Sequence, residues 1–155
     1  MSEATNPEID ATIISGLNAL LADAAVFRYK VQNYHWNVRG RQFFELHGQF
    51  EEMYNAWTTH LDDIAERVRA KEASPLPTLA RCLEHTRIAE EEGSPDAKRM
   101  VENLVADLLA IHKEVREVID DAETASDRTT VNLLDDIGDE IQKNVWMLRA
   151  WHHGA

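Results

Sequence analysis

The hydrophobic residues of this chain recur at alternating intervals of three and four positions along four long segments. Such intervals place side chains along one side of an α-helix, which can then bury that side in a core. No segment alternates with the two-residue period of a β-strand, so the pattern predicts an all-α protein. The four predicted core stripes are Ile13, Leu17, Leu20, Ala24, Phe27, Val31 and Tyr34; Leu46, Phe50, Met53, Trp57, Leu61, Ile64 and Val68; Val101, Leu104, Leu108, Ile111, Val115, Val118 and Ala122; and Leu134, Ile137, Ile141, Val145, Leu148 and Trp151.

Glycine and proline separate these segments and predict where the helices end. Residues 37–41, which include Gly40, are predicted to end the first helix. The second helix must stop before Pro75 and Pro77, because a proline in the helix interior removes a hydrogen bond and clashes with the preceding turn. Residues 125–127 are predicted to form the turn before the fourth helix.

The connection between the second and third helices is much longer than the other two. Residues 78–87 are predicted to form a short helix within it, and residues 90–93 an acidic break. Ser94 is the predicted N-cap of the third helix, with Pro95 at the first helical position. Two antiparallel pairs joined by one long crossover resemble the ferritin-like four-helix bundle rather than a simple up-and-down bundle.

Length and composition restrict the range of functions. The chain has 155 residues and a formal net charge of −12, which predicts a single domain, residues 1–155 with a tail at about 1–8. The negative charge favours attraction of cations and disfavours general binding of nucleic acid. The single Cys excludes an intramolecular disulfide framework and a cysteine-based zinc site. The lack of a continuous apolar run and of a secretory signal predicts a cytoplasmic protein with no membrane span.

Candidate metal ligands lie between the end of the first helix and the end of the second. His47 and Glu51 are four residues apart, as are Asp62 and Glu66, so each pair lies on one helix face. His35 ends the first helix and is expected to lie beside the second. Imidazole and carboxylate together are a ligand set for Fe(II), Mn(II) or Zn(II).

The spacing of the acids limits how these residues can be combined. Glu51 and Asp62 share a helix face, but eleven residues separate them by roughly 16 Å along the axis. One metal centre cannot use both from the same helix. Either the chain has two half-sites, or the group around His35 meets the acids of another copy. Two antiparallel copies related by a two-fold axis would form two equivalent sites.

Simpler interpretations stay open when spacing is the only argument. His47 and Glu51 are also what an ordinary surface pair looks like. The acids of residues 62–66 could form a solvated salt-bridge face with Arg67 and Arg69. His60 and His112 lie among polar residues and receive no role.

Three sequence motifs resemble the Dps family of miniferritins. They are NYHWNVRG at residues 33–40, FFxLH at 43–47 and HLDDIAER at 60–67. The resemblance implies a homo-oligomeric, dodecameric shell with di-iron ferroxidase centres at its two-fold interfaces. It implies that His35 and His47 come from one subunit and that Asp62 and Glu66 come from its mate. Glu51 stands where the family usually has Asp.

The resemblance also implies an activity. The protein would oxidise Fe(II), with hydrogen peroxide or oxygen, and store the ferric mineral, protecting against oxidative damage; Zn(II) is a possible occupant of the same site. A DNA-compacting shell with little ferroxidase activity is the alternative. The absence of any basic residue before Arg28 speaks against DNA binding and nucleoid association. A monomeric phosphotransfer bundle with one reactive histidine is a third hypothesis.

Overall fold

The computed structural model describes residues 6–154, and within that part of the chain it contains five helices and no strand. The helices are α1 (Pro7–Asn37), α2 (Phe43–Ala70), α3 (Leu79–His85), α4 (Ala97–Thr124) and α5 (Arg128–Gly154). Four are long, and α3 is the short helix predicted within the crossover. The predicted all-α bundle, with a short helix in its long crossover, is therefore confirmed.

The core is built from the four predicted stripes. α1 packs along α2 and α4, α4 packs along α5, and α3 lies against α1. Every residue of the first and third stripes is buried, while Leu61 in the second and Trp151 in the fourth are only partly buried. Burying a large aliphatic or aromatic side chain contributes about 1.5–3 kcal/mol, so these stripes are what hold the four helices together.

Helix α1 begins earlier than its hydrophobic stripe suggests. Its N-cap is Asn6, whose side-chain oxygen accepts a hydrogen bond from the backbone N–H of Glu8 at 3.0 Å, and Pro7 is the first helical residue. The helix thus starts within the segment 1–8 that was expected to be a tail. Residues 1–5 of that segment lie outside the described residues.

By length and mean hydropathy, α1 qualifies as a candidate membrane span, which the search for a continuous apolar run did not predict. Its apolar side forms the centre of the bundle, where Leu17 and Phe27 are completely buried. The helix also buries Asp23, which pairs with Arg87 of the crossover at 3.1 Å. A core helix meets the same criterion as a spanning helix, and these contacts assign the apolar side of α1 to the bundle core.

The N-cap of α4 is Asp96, so the prediction of Ser94 was wrong. The Asp96 side chain accepts a hydrogen bond from the backbone N–H of Arg99 at 2.9 Å, and the helix begins at Ala97. Both residues can cap a helix, but an ionised carboxylate also interacts favourably with the positive end of the helix dipole. Pro95 therefore precedes the helix rather than starting it.

Polar contacts, rather than apolar packing alone, fasten the crossover to the bundle. Burial raises the pKa of Tyr34, and its hydrogen bond to the carboxylate of Glu91 raises that pKa further. The acidic segment 90–93, predicted as a simple break, is thus tied to α1. The hydrogen bonds that join side chains of α1 to the crossover include these: Asp23 accepts from the backbone N–H of Arg87 at 2.8 Å, Lys30 donates to the carbonyl of Ala89 at 2.9 Å, and Tyr34 donates to Glu91 at 2.7 Å.

Asp127 joins the start of α5 to the end of α2. Its carboxylate accepts from Lys71 at 2.8 Å, from Arg67 at 3.0 Å and from the hydroxyl of Thr130 at 2.6 Å. Burial by itself would raise the pKa of Asp127, but the hydrogen bonds from Lys71 and Thr130 outweigh it and lower the pKa to about 2. The ionised form is therefore the one that the folded protein stabilises.

We expect Asp127→Asn to lower the free energy of unfolding by about 2 kcal/mol at pH 7, the value that corresponds to this lowered pKa. Because the folded pKa lies below the unfolded one, the contribution is present above about pH 4 and disappears as the pH falls towards 2. Urea denaturation at fixed protein concentration, followed by circular dichroism, measures the difference. Asp136→Asn, at an exposed residue of α5, is the control. Equal stability of both variants at pH 7 would contradict the prediction.

Candidate metal centre

The tight turn between α1 and α2 brings two histidines side by side. Only residues 38–42 separate the two helices, and Gly40 has a φ of 115°, which residues with a side chain rarely adopt. The chain therefore reverses within a few residues, and α2 runs back along α1. His35, in the last turn of α1, then faces His47 near the start of α2.

The two imidazole rings are stacked and locked by reciprocal hydrogen bonds. Their centroids are 3.8 Å apart with an interplanar angle of 15°. Nδ1 of His35 lies 2.7 Å from the carbonyl oxygen of His47, and Nδ1 of His47 lies 2.8 Å from the carbonyl oxygen of His35. A carbonyl oxygen only accepts, so each Nδ1 carries a proton, and in the neutral imidazole the lone pair then lies on Nε2.

This arrangement fits metal ligation. Across residues 6–154, neither Nε2 takes part in a hydrogen bond. A metal-bound histidine commonly donates its other ring N–H to a carbonyl or carboxylate, which fixes the tautomer and the ring orientation. His35 is buried, with 7% of its surface exposed, whereas His47 is partly buried. The pair therefore offers two oriented nitrogen ligands at the edge of the bundle.

The candidate acids are separated from the histidines within one chain. Asp62, Asp63 and Glu66 can place three carboxylate oxygens within 4.8 Å of one another, and no other described group of three ligand-type residues does so. Glu51 is exposed on α2 and does not join His35 and His47 in such a group. The structure thus contains a histidine pair and an acidic cluster as two separate groups. Asp63 belongs to the cluster although the sequence analysis did not choose it as a ligand.

The acidic cluster is not neutralised by the neighbouring arginines. Arg67 pairs with Asp127, and Arg69 donates to the carbonyl of Ala73 at 2.9 Å. Among the ion pairs of the described residues, none includes a carboxylate of the acidic cluster. The salt-bridge face considered for this segment is therefore not what the structure contains, and the cluster is a concentrated negative charge able to attract a cation.

An apolar groove lies between α1, α2 and α3. It encloses about 690 Å³, and Tyr29, Leu79 and Leu83 on its walls are exposed by 59%, 77% and 46%. Trp36, next to His35, packs edge-on against Tyr29 and is itself 55% exposed. The groove is lined by Ala25, Val26, Arg28, Tyr29, Thr58, Leu61, Leu79, Cys82, Leu83 and Glu90.

The remaining histidine of α2 has a different role from the pair. Nε2 of His60 is hydrogen-bonded to Glu140 of α5, and its ring packs edge-on against Trp57 at 5.1 Å. The hydrogen bond from His60 lowers the pKa of Glu140. His60 therefore connects two helices, a role that its position three residues after a core tryptophan could have suggested.

Comparison with known proteins identifies the family. The family model described as a ferritin-like domain matches residues 14–153. A DNA protection during starvation protein of Brevibacillus brevis is 41% identical over 135 residues, covering 87% of this chain and 91% of the relative. The chain belongs to the Dps family of ferritin-like proteins.

Solved Dps structures share the whole fold. A Dps protein from Bacillus brevis superposes with a TM-score of 0.91 at 39% identity, covering 93% of this chain and 97% of that one. The Vibrio cholerae Dps protein, described as a member of a broad superfamily of ferritin-like diiron-carboxylate proteins, has a TM-score of 0.91 at 33% identity, with coverage of 97% and 98%. The predicted resemblance to Dps is therefore confirmed.

Proposed function

We propose that this protein is a ferroxidase miniferritin that oxidises Fe(II) and stores the ferric product within a dodecameric shell. The observation that carries the proposal is the stacked pair His35 and His47, whose hydrogen bonds leave both Nε2 atoms free for a metal. Family membership supports it, since one Dps relative is described as a ferritin-like diiron-carboxylate protein. The rate of Fe(II) oxidation by the purified protein, followed by ferric absorbance, tests it.

The exposed face of α2 explains how the two halves of the site would meet. Six residues form one stripe along this face, and successive members are four, four, three, four and four positions apart. The spacing is therefore the same from either end of the stripe. Its centre lies between residues 56 and 57. A two-fold axis at that point would pair each position with its mirror position on the other copy. The stripe consists of His47, Glu51, Asn55, Thr58, Asp62 and Glu66.

Under this symmetry, His47 lies opposite Glu66 of the partner subunit, and Glu51 lies opposite Asp62 of the partner subunit. His35, stacked on His47, completes the group. The two uncharged residues at the centre, Asn55 and Thr58, allow the helices to approach without like charges meeting at the axis. Each pair of subunits would therefore contain two equivalent centres, each built from two chains.

The apolar groove supports a homo-oligomer. Thr58 lies on both the α2 stripe and the groove wall, so a copy docked around the proposed axis would also cover the exposed Tyr29, Leu79 and Leu83. Exposed apolar surface of this kind is typical of an interface between proteins. A solution mass equal to one chain would contradict the proposal and favour the alternative of a monomeric phosphotransfer bundle.

The ligand set suits the chemistry. Imidazole nitrogens and carboxylate oxygens bind Fe(II), the substrate, and leave positions open for an oxidant. Two Fe(II) ions supply the two electrons that reduce one hydrogen peroxide to water, so no one-electron radical product is released. Oxygen is the alternative oxidant, and Zn(II) suits the same ligands. Glu51 has one methylene more than the Asp that is usual in the family, so its carboxylate can lie farther from the α2 backbone, which changes the metal spacing.

We place this activity in the bacterial cytoplasm, as a defence against oxidative damage. The Dps relatives are bacterial proteins, and removing Fe(II) and peroxide together prevents radical formation. The acidic chain supports iron attraction, because a shell of subunits each carrying −12 produces a field that draws in cations.

Relatives named for DNA protection suggest the alternative of a DNA-compacting shell. We expect no retarded band for this protein with duplex DNA at about 0.15 M salt and neutral pH. The reason is electrostatic: the chain carries −12 and has no basic residue before Arg28, whereas binding to DNA requires Lys and Arg to neutralise phosphates. A gel-shift assay measures this, with a cationic DNA-binding protein as positive control. A clear retarded band would make DNA compaction the better proposal.

A further inference from the structure

An aromatic column surrounds the two candidate ligands. Phe43 stacks on the outer face of His47 at 4.9 Å with an interplanar angle of 22°, and His47 stacks on His35. The ring of Tyr54 meets His35 edge-to-face at 5.2 Å and 75°. His35 therefore contacts two rings, His47 stacked on it and Tyr54 nearly perpendicular to it. Tyr54 follows His47 by two helical turns on α2.

Tyr54 is itself held in place by Arg28 of α1. The guanidinium carbon lies 5.8 Å from the centre of the Tyr54 ring, a distance at which a cation is attracted to the ring face. Nε of Arg28 donates to the hydroxyl of Thr58 at 2.9 Å, and Nη1 donates to Gln32 at 3.1 Å. Thr58 in turn donates to the carbonyl of Tyr54 at 2.8 Å. These contacts fix the guanidinium over the ring.

Arg28 makes its contacts with uncharged groups. Counting only ion pairs of residues 6–154, its guanidinium has no carboxylate partner within 4.0 Å. Its contacts are with a ring, a hydroxyl and an amide, and two of these three groups belong to α2. The Arg28 guanidinium therefore contacts Tyr54 and Thr58 of α2 instead of a carboxylate.

We propose that Tyr54, held by Arg28, is a positioning residue that fixes the imidazole of His35 for metal ligation. The inference rests on the proposed function, because it assigns His35 as a ligand. The hydrogen bond from Nδ1 to the carbonyl of His47 sets the tautomer of His35, and stacking on His47 restricts one face of its ring. The Tyr54 ring, in edge-to-face contact at 75°, adds a further restraint on rotation of the imidazole.

The test is Co(II) binding by the complete, assembled protein without oxidant, measured from the visible d–d absorbance. Tyr54→Leu removes the ring, and we expect roughly tenfold weaker Co(II) binding, as for other groups that orient a metal-bound histidine, together with an altered d–d spectrum. Tyr54→Phe keeps the ring and should bind within about twofold of wild type. Thermal unfolding of each metal-free variant shows any general loss of stability, which by itself would not change the d–d spectrum.

Each outcome decides the matter. Wild-type affinity and spectrum in Tyr54→Leu would overturn the inference, as would equal weakening in Tyr54→Phe. If Tyr54→Leu does not fold, Arg28→Gln replaces it: weaker Co(II) binding with a changed spectrum supports the inference, and unchanged binding overturns it. If wild type itself binds no Co(II), the proposed function fails, whereas equal binding by wild type and Tyr54→Leu removes only the role of Tyr54.

Discussion

Replacing His35 and His47 together by alanine should lower the initial rate of Fe(II) oxidation by roughly 100-fold or more. His35 and His47 supply the only nitrogen ligands of the proposed centre. Removing a group that merely orients a ligand already lowers metal affinity or activity by about 10–100-fold, so removing two ligands should lower the rate at least as much. The substitution removes two rings that stack on each other at 3.8 Å, so helicity and solution mass are measured beside the rate. Stopped-flow absorbance of ferric product after addition of peroxide gives the rate.

The matched control replaces two histidines outside the proposed centre. His85→Ala with His112→Ala also removes two imidazoles, one in α3 and one in α4, and should leave the oxidation rate close to wild type. An unchanged rate in the His35/His47 variant would count against the metal centre. Loss of rate in both double variants would show that the assay responds to histidine content rather than to the proposed ligands.

A mixture of two inactive variants should recover part of the activity if each centre is shared by two chains. One variant lacks the histidines (His35→Ala with His47→Ala), and the other lacks the acids (Asp62→Asn with Glu66→Gln). In a pair made of one chain of each variant, one centre lacks both its histidines and its acids. The other centre takes intact histidines from one chain and intact acids from the other. With equal amounts and random pairing, about a quarter of all centres are intact.

Co-expression of the two variants in one cell is the experiment, because it lets the chains assemble together. Each variant expressed alone should be inactive, and mixing the two after separate assembly gives the baseline without exchange. Recovery of about a quarter of the wild-type rate supports the shared centre. No recovery, with mixed assemblies demonstrated by mass spectrometry, would mean that each centre lies within one chain.

Periodicity predicted the helices well because the four stripes are long and almost free of exceptions. Its failures occur where local signals compete. Ser94 and Asp96 can both cap a helix, and the structure uses Asp96, whose carboxylate also interacts favourably with the helix dipole. Nor did periodicity predict the contacts of Asp23, Lys30 and Tyr34 that tie the crossover to α1. Those contacts join residues more than fifty positions apart, so no local pattern reveals them.

The candidate site shows the same division between local and distant information. Spacing along α2 indicated the pairs His47 with Glu51 and Asp62 with Glu66, since both follow from helix geometry. It could not show that His35 and His47 would stack and exchange hydrogen bonds, because that depends on the turn at Gly40. Nor could it separate a salt-bridge face from a free acidic cluster, since the partner of Arg67 is Asp127, sixty residues away.

The placement of the histidine pair within the first two helices has a consequence for biosynthesis. α1 and α2 are adjacent in the chain and pack directly on each other, and contacts between neighbouring elements form faster than distant ones. During translation the amino-terminal part leaves the ribosome first. The hydrogen bonds between His35 and His47 use no atom of α4 or α5. All four groups that form them are therefore synthesised before the second half of the polypeptide.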